Sequence, residues 1–345
     1  MTGSRVALYF RGLRETDRWI PGDRYVRPIV RRVLRGTPRV GGVGQVFVSL
    51  CKGLDELAVK YDVNPRFSTL RAGDRIAVLG RTRDILQGYT HPFPIVAGIG
   101  MMTHPSEWPT LCDEYPVVTY LSHSEWVNRQ YVPYFGERCA LWPVGIDTTE
   151  WQPAPVVNKS LDFIVYDKIP RIDDVPFDAL LATTRSALMQ RGLSFETVRY
   201  GQYEAEGFRN TLARARGLIF LSPHESQGIA CGETLASGVP VLAWDPGRWT
   251  DPNRLAFGEP DAEATSVPYF DDRCGVRFQS REEFSAALDV FIARRDAGVF
   301  RPREYILEKL TLAGSARKFL DYLDEAQTPA AQSRISPRLR AGHGE

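Results

Sequence analysis

The stretch SPHESQGIACGETLASGVPVLAWD, residues 222–245, places two glutamates, Glu225 and Glu233, eight residues apart among small residues. Were all eight steps helical, the carboxylates would stand ~12 Å apart. That exceeds the roughly 5 to 9.5 Å over which carboxyl pairs cleave a glycosidic bond, so a hydrolase dyad is disfavoured. GLIFLSP, residues 217–223, reads as a buried strand, and the small residues from Gly228 onward suit a helix lying close to a sheet. Glu225 then falls in the strand-to-helix loop and Glu233 inside the helix. The end N–H groups and dipole of such a helix hold a diphosphate, while a carboxylate on either flank accepts hydrogen bonds from hydroxyls. A nucleotide sugar, with hexose, pyrophosphate and ribose diol in line, has that layout. The plainer reading makes Glu225 a helix-capping acid and Glu233 a solvated helix residue.

Such a loop needs parallel strands and crossover helices to carry it, and the chain supplies the pattern. Its 345 residues exceed one typical core and suggest two domains. The apolar fraction of 43% and charged fraction of 25% are those of a folded, water-soluble chain. A net charge of +1 excludes a global pull toward nucleic acid. Five scattered cysteines without a CxxC argue against a disulfide framework or structural zinc and fit a reducing cytoplasm. No apolar segment is long enough for a membrane span. Strands are predicted at 5–10, 75–80, 94–99, 117–122 and 139–144, with helices at 28–35, 44–57 and 125–134. After the polar, proline-bearing stretch 147–160 the pattern restarts with LDFIVY, FETVRYG, GLIFLS, PVLAW and GVRF. The reading is α/β: a lobe over 1–150, a second over 151–302, a helix over 303–326, and a disordered tail over 327–345.

The run E-S-Q-G-I-A-C-G-E-T-L-A-S-G-V-P-V resembles the E-x7-E signature of retaining, GT-B-fold glycosyltransferases of family 4, with Glu225, Gly228, Glu233, Ala236, Gly238, Pro240 and Val241 matching. The resemblance implies two facing Rossmann-like lobes with a cleft between them. It implies that Glu225 binds the donor sugar, Glu233 the ribose, and the backbone N–H groups of Ser226, Gln227, Gly228 and Ile229 the diphosphate. RVGGVGQVFVSL, residues 39–50, places Gly41 and Gly42 where the family has a G-G loop approaching the donor phosphates. ALWPVGIDTTEWQP, residues 140–153, is similar to the family's interdomain junction, and the 303–325 helix to its C-terminal crossover helix. His104, in the loop after the 94–99 strand, is the expected transfer residue by the same analogy. His123 and His224 are rivals.

The chain also departs from the family. In place of a G-R-x-x-x-x-K-G segment stands FIVYDKIPRIDD, which leaves Lys168 and Arg171 as the cations for the departing diphosphate. The second lobe lacks one strand-helix unit, Gln227 stands where an aromatic is common, and Thr234 where Ala is. No metal-binding acid pair stands out, since Asp173-Asp174 and Asp271-Asp272 have no supporting context. The expected function is therefore metal-independent transfer of a sugar from a nucleotide-diphosphate donor to a saccharide or other hydroxyl acceptor, with retention and without a cofactor. The alternatives are a nucleotide-sugar epimerase of the same fold and a degenerate binding or partner subunit. In RYVRPIVRRVLRGTPR, Arg27, Arg31, Arg32 and Arg35 flank an apolar stripe, which allows peripheral contact with an anionic membrane face or, more simply, a solvated helix packed on the core.

Overall fold

A computed structural model of the chain describes residues 5–11, 42–80, 83–154, 159–170 and 178–340. Gly41, Arg171, the basic segment with Arg27, Arg31, Arg32 and Arg35, and Asp173-Asp174 lie outside the described residues. The chain divides into two compact units. The first comprises Met1–Ser122, Gln130–Trp142 and Ala316–Glu345, and the second His123–Arg129 and Pro143–Ser315.

In the first unit six parallel strands, β1 (Val6–Arg11), β2 (Tyr61–Val63), β3 (Arg75–Gly80), β4 (Ile95–Gly98), β5 (Val117–Ser122) and β6 (Cys139–Leu141), form one sheet in the order β2-β1-β3-β4-β5-β6. All four residues of β4 and all six of β5 are buried. Central parallel strands are covered on both faces, which is why they read as near-continuous apolar runs. The sequence carries no such sign of β2, because YDV is a three-residue edge strand with Asp62 and Val63 exposed. Helix α1 (Gly42–Glu56) buries Val46, Leu50 and Leu54 at the spacing of one helical face. Short α2 (Leu111–Glu114) leads into β5, and α3 (Glu125–Phe135) follows it; α3 groups with the second unit through Arg129 and with the first from Gln130.

The second unit is a five-stranded parallel sheet of β7 (Phe163–Asp167), β8 (Phe195–Arg199), β9 (Leu218–Leu221), β10 (Val241–Trp244) and β11 (Gly275–Phe278), in the order β11-β10-β9-β7-β8. Crossovers run through α4 (Asp178–Gln190), α5 (Ala205–Arg214), α6 (Ile229–Ala236) and the segment before β11, and α7 (Phe284–Asp296) follows that strand. The inner strands FIVYD, LIFL and VLAW are wholly buried, while the edge strand β8, FETVR, is nowhere fully covered. One core packs Ile164, Tyr166, Leu218 and Phe220 with α5 and α6, and a second packs Phe163, Val165, Ile219 and Leu242 with α4 and α7.

Two expectations for the C-terminal region need correction. The single helix over 303–326 is two helices, α8 (Pro302–Lys309) and α9 (Leu312–Glu325). Between them Leu310 leaves helical geometry, its carbonyl accepts the Ile146 N–H at 2.7 Å, and the Thr311 hydroxyl takes the Gly314 N–H at 3.1 Å as a helix cap does. The tail read as disordered has regular structure within its described residues, 327–340. It forms α10 (Pro329–Gln332) and α11 (Pro337–Arg340), buries Ala331 and Ile335, and is tied to β5 by Arg334, whose Nη1 donates to the Val118 carbonyl at 3.3 Å. Unit membership changes at Trp142–Pro143, earlier than the boundary expected near residue 150.

Candidate functional site

In an open parallel sheet, ligands settle beyond the carboxyl ends of the strands where successive connections leave in opposite directions. In the second unit that point lies between β7 and β9, because the chain steps from β7 to β8 on one side and then crosses back. Lys168 follows β7 directly, and residues 222–228 follow β9. The Lys168 N–H donates to the Leu221 carbonyl at 2.9 Å, extending the ladder by one rung.

The two loops bring opposite charges together. Lys168 Nζ donates to Glu225 Oε1 at 2.6 Å, and the Ser222 hydroxyl donates to the same oxygen at 2.8 Å. The Glu225 side chain is 12% exposed and that of Lys168 27%, so the pair is neither freely solvated nor sealed. Burial acts to lower the Lys168 pKa, but the Glu225 carboxylate and its hydrogen bond outweigh burial and leave the net shift upward. The ammonium also lies 4.4 Å from the centre of the Tyr200 ring, a cation–π contact from the loop after β8. The Glu225 backbone is fixed as well: its N–H donates to the Thr265 carbonyl, and its carbonyl accepts Trp126 Nε1–H, both at 2.9 Å. One carboxylate is thus held at a set height beside a cation.

Helix α6 begins just beyond. Gly228 precedes it at φ +73° and ψ 45°, a left-handed geometry that glycine adopts without strain, and its carbonyl accepts the Gly232 N–H at 2.9 Å to close the first turn. Ser226 is exposed, Gly228 buried and Ile229 half-buried, so the expected N–H cradle is only partly open to solvent. Glu233, half-buried, is the fifth residue of α6. The side chain of Gln227 is spent elsewhere: it is 6% exposed and bonds both the N–H and the carbonyl of Val144. Gly42, the described half of the expected glycine loop, is the exposed first residue of α1 in the first unit.

The histidines separate by burial. His104, the expected transfer residue, is 0% exposed. Its Nδ1 accepts the Ser106 N–H at 3.2 Å, capping the short turn Pro105–Glu107, and its ring meets Tyr134 edge-on at 5.7 Å. No face of the ring reaches solvent in this structure. His123 is nearly as enclosed, and burial pushes its pKa down to about 3. His224 borders Glu225, with Nδ1 3.0 Å from the Thr250 hydroxyl and its ring edge-on to Trp126. Burial lowers its pKa, and the Glu225 charge acts in the opposite direction.

The structure brings the expected Glu225 and Lys168 together near the Gly228 turn, and sets Ser222, Tyr200, Thr265 and Trp126, none of them singled out from the sequence, against the pair. Ser222 stands in the opening motif, whereas the others carry no local signal. Among the described residues no group of three or more His, Cys, Asp or Glu is placed to hold a metal ion. Asp271 is engaged by Arg273 at 2.8 Å, which lowers its pKa. No helix among the described residues is long and apolar enough to cross a membrane.

No protein-family model matches the sequence, and no curated protein matches it. Solved structures do. Sucrose-phosphate synthase from Thermosynechococcus elongatus aligns over 93% of this chain and 98% of its own at 12% identity, with a TM-score of 0.52. WaaG, a glycosyltransferase involved in lipopolysaccharide biosynthesis, aligns over 92% and 99% at 12% identity, with a TM-score of 0.51. The pneumococcal O-GlcNAc transferase GtfA aligns at 12% identity and a TM-score of 0.49, and this chain spans only 57% of its length. The likeness is one of fold: two parallel-sheet α/β lobes of the GT-B glycosyltransferase kind.

Proposed function

We propose that this chain is a retaining, metal-independent glycosyltransferase that moves a sugar from a nucleotide-diphosphate donor to an acceptor hydroxyl. The observation that carries the reading is the Lys168–Glu225 pair at the switch point of the second sheet, one turn ahead of α6. In this reading the α6 turn and Lys168 take the diphosphate, Glu225 takes donor-sugar hydroxyls, and Glu233 the ribose diol. The bond from the anomeric carbon to the diphosphate oxygen breaks while the acceptor oxygen bonds to that carbon from the same face. The acceptor proton passes to the departing diphosphate, whose charge Lys168 offsets. No step is given to His104, whose ring is enclosed and whose Nδ1 caps a turn. The scattered cysteines without a CxxC fit the reducing, cytoplasmic setting proposed here.

The test is a panel of UDP-, GDP- and ADP-sugars. One of them is expected to raise the melting temperature and to yield free nucleotide in an acceptor-dependent way, with the yield unchanged by EDTA and abolished by Glu225→Ala. Nucleotide release without acceptor favours the epimerase. Absence of a shift with every donor favours the binding-subunit reading, to which the five-stranded second sheet lends weight.

A further inference from the structure

Gln227 lies inside the turn that opens α6, two residues after Glu225, yet its amide is committed to backbone. Oε1 accepts the Val144 N–H at 3.0 Å, and Nε2 donates to the Val144 carbonyl at 3.3 Å. A primary amide paired with both groups of one residue copies a rung of a β-ladder and leaves the turn little freedom to rotate or slide. The residues after Val144 hold the rest of α6. The Ile146 side chain occupies the space that Gly232 leaves, coming within 2.9 Å of where a β-carbon there would sit. At the far end, Arg303 Nη1 donates to the carbonyl of Ala236, the last residue of α6, at 2.6 Å. The same guanidinium donates to the carbonyls of Trp151 and Thr148, each at 3.1 Å. Residues 144–151 therefore grip the helix at its first turn, along its side and at its end.

We propose that Gln227 is a positioning residue for the donor diphosphate: by clasping Val144 it sets the height and direction of the N–H groups of Ser226–Ile229 without touching the ligand. The proposal rests on the donor-site reading above. Misplacing such donors by an ångström is enough to cost an order of magnitude in binding or rate.

The experiment uses the full chain as wild type, Gln227→Met and Gln227→Glu, with UDP, GDP and ADP as titrants. For whichever diphosphate the wild type binds, Gln227→Met is expected to bind about tenfold more weakly at a temperature well below the melting points of both proteins. Its Val144 amide should exchange with deuterium faster than in wild type. Gln227→Glu should regain affinity relative to wild type as pH falls, because only the protonated carboxyl again donates to the Val144 carbonyl; a purely structural role produces no such recovery. Equal affinity of wild type and Gln227→Met overturns the positioning role and leaves the donor reading standing. Unaltered Val144 exchange overturns the clasp, and an affinity loss that vanishes when both proteins are titrated well below their melting temperatures assigns Gln227 to stability alone. Failure of the wild type to bind any of the three diphosphates overturns the donor reading and this proposal together.

Discussion

Replacing Glu225 by Gln tests the central pair of the site. The substitution keeps an acceptor for Lys168 and Ser222 and removes only the charge. At the observed 2.6 Å the gross attraction is about 6 kcal/mol with an effective dielectric near 20. Desolvation cancels much of it. Exposed pairs retain about 0 to 1 kcal/mol, and removing one member of a sealed pair costs about 3 to 5 kcal/mol. With side chains 12% and 27% exposed, this pair falls between, so Glu225→Gln should cost about 2 kcal/mol. Lys168→Met should cost a similar amount, and the double variant should cost less than the sum by about 1 to 2 kcal/mol. Urea titration of the four proteins at neutral pH measures the cycle. Because the Lys168 pKa is raised, the pair's contribution is fully present below the ordinary lysine value of 10.5 and is lost as pH rises through the raised one. At the alkaline end, wild type should therefore lose its advantage over Glu225→Gln as Lys168 deprotonates. Strict additivity of the two single losses would refute the claim that these charges interact.

Two further outcomes follow from the geometry. Burial holds the His123 pKa near 3, against 6.5 when unfolded, so its contribution is complete above pH 6.5 and is lost as pH falls toward 3. Stability should fall by about 1.4 kcal/mol per pH unit inside that window; His123→Phe should flatten the slope, and an unchanged slope in urea titrations at pH 4.5 to 6 would place the titration elsewhere. At Gly228 a β-carbon has room, the nearest atom being Pro268 Cδ at 3.7 Å, so any penalty is conformational. Gly228→Ala should cost about 1 kcal/mol and Gly228→Asn less, since Asn enters the left-handed region more readily; equal losses in denaturant titrations would point to packing instead.

The sequence marks features that depend on neighbours along the chain. β4 and β9 are unbroken apolar runs because parallel strands are covered on both faces, and the Glu225–Gly228 turn shows itself through glycine and the strand before it. β2 and the break at Leu310–Thr311 escaped because an edge strand of three residues and a cap within a helical pattern leave almost no local trace. His104 and His123 look alike in sequence, and only packing shows that both are enclosed.

What tertiary structure alone decided is which charges and amides meet. Lys168 and Glu225 stand 57 residues apart, and Gln227 and Val144 stand 83 apart. They come together because β9 pairs with β7 across the intervening β8 unit, and because residues 144–151 fold back along α6. Periodicity reports which face of an element is buried. It carries no information about which strand lies next to which, and it is that adjacency which sets a lysine against a carboxylate.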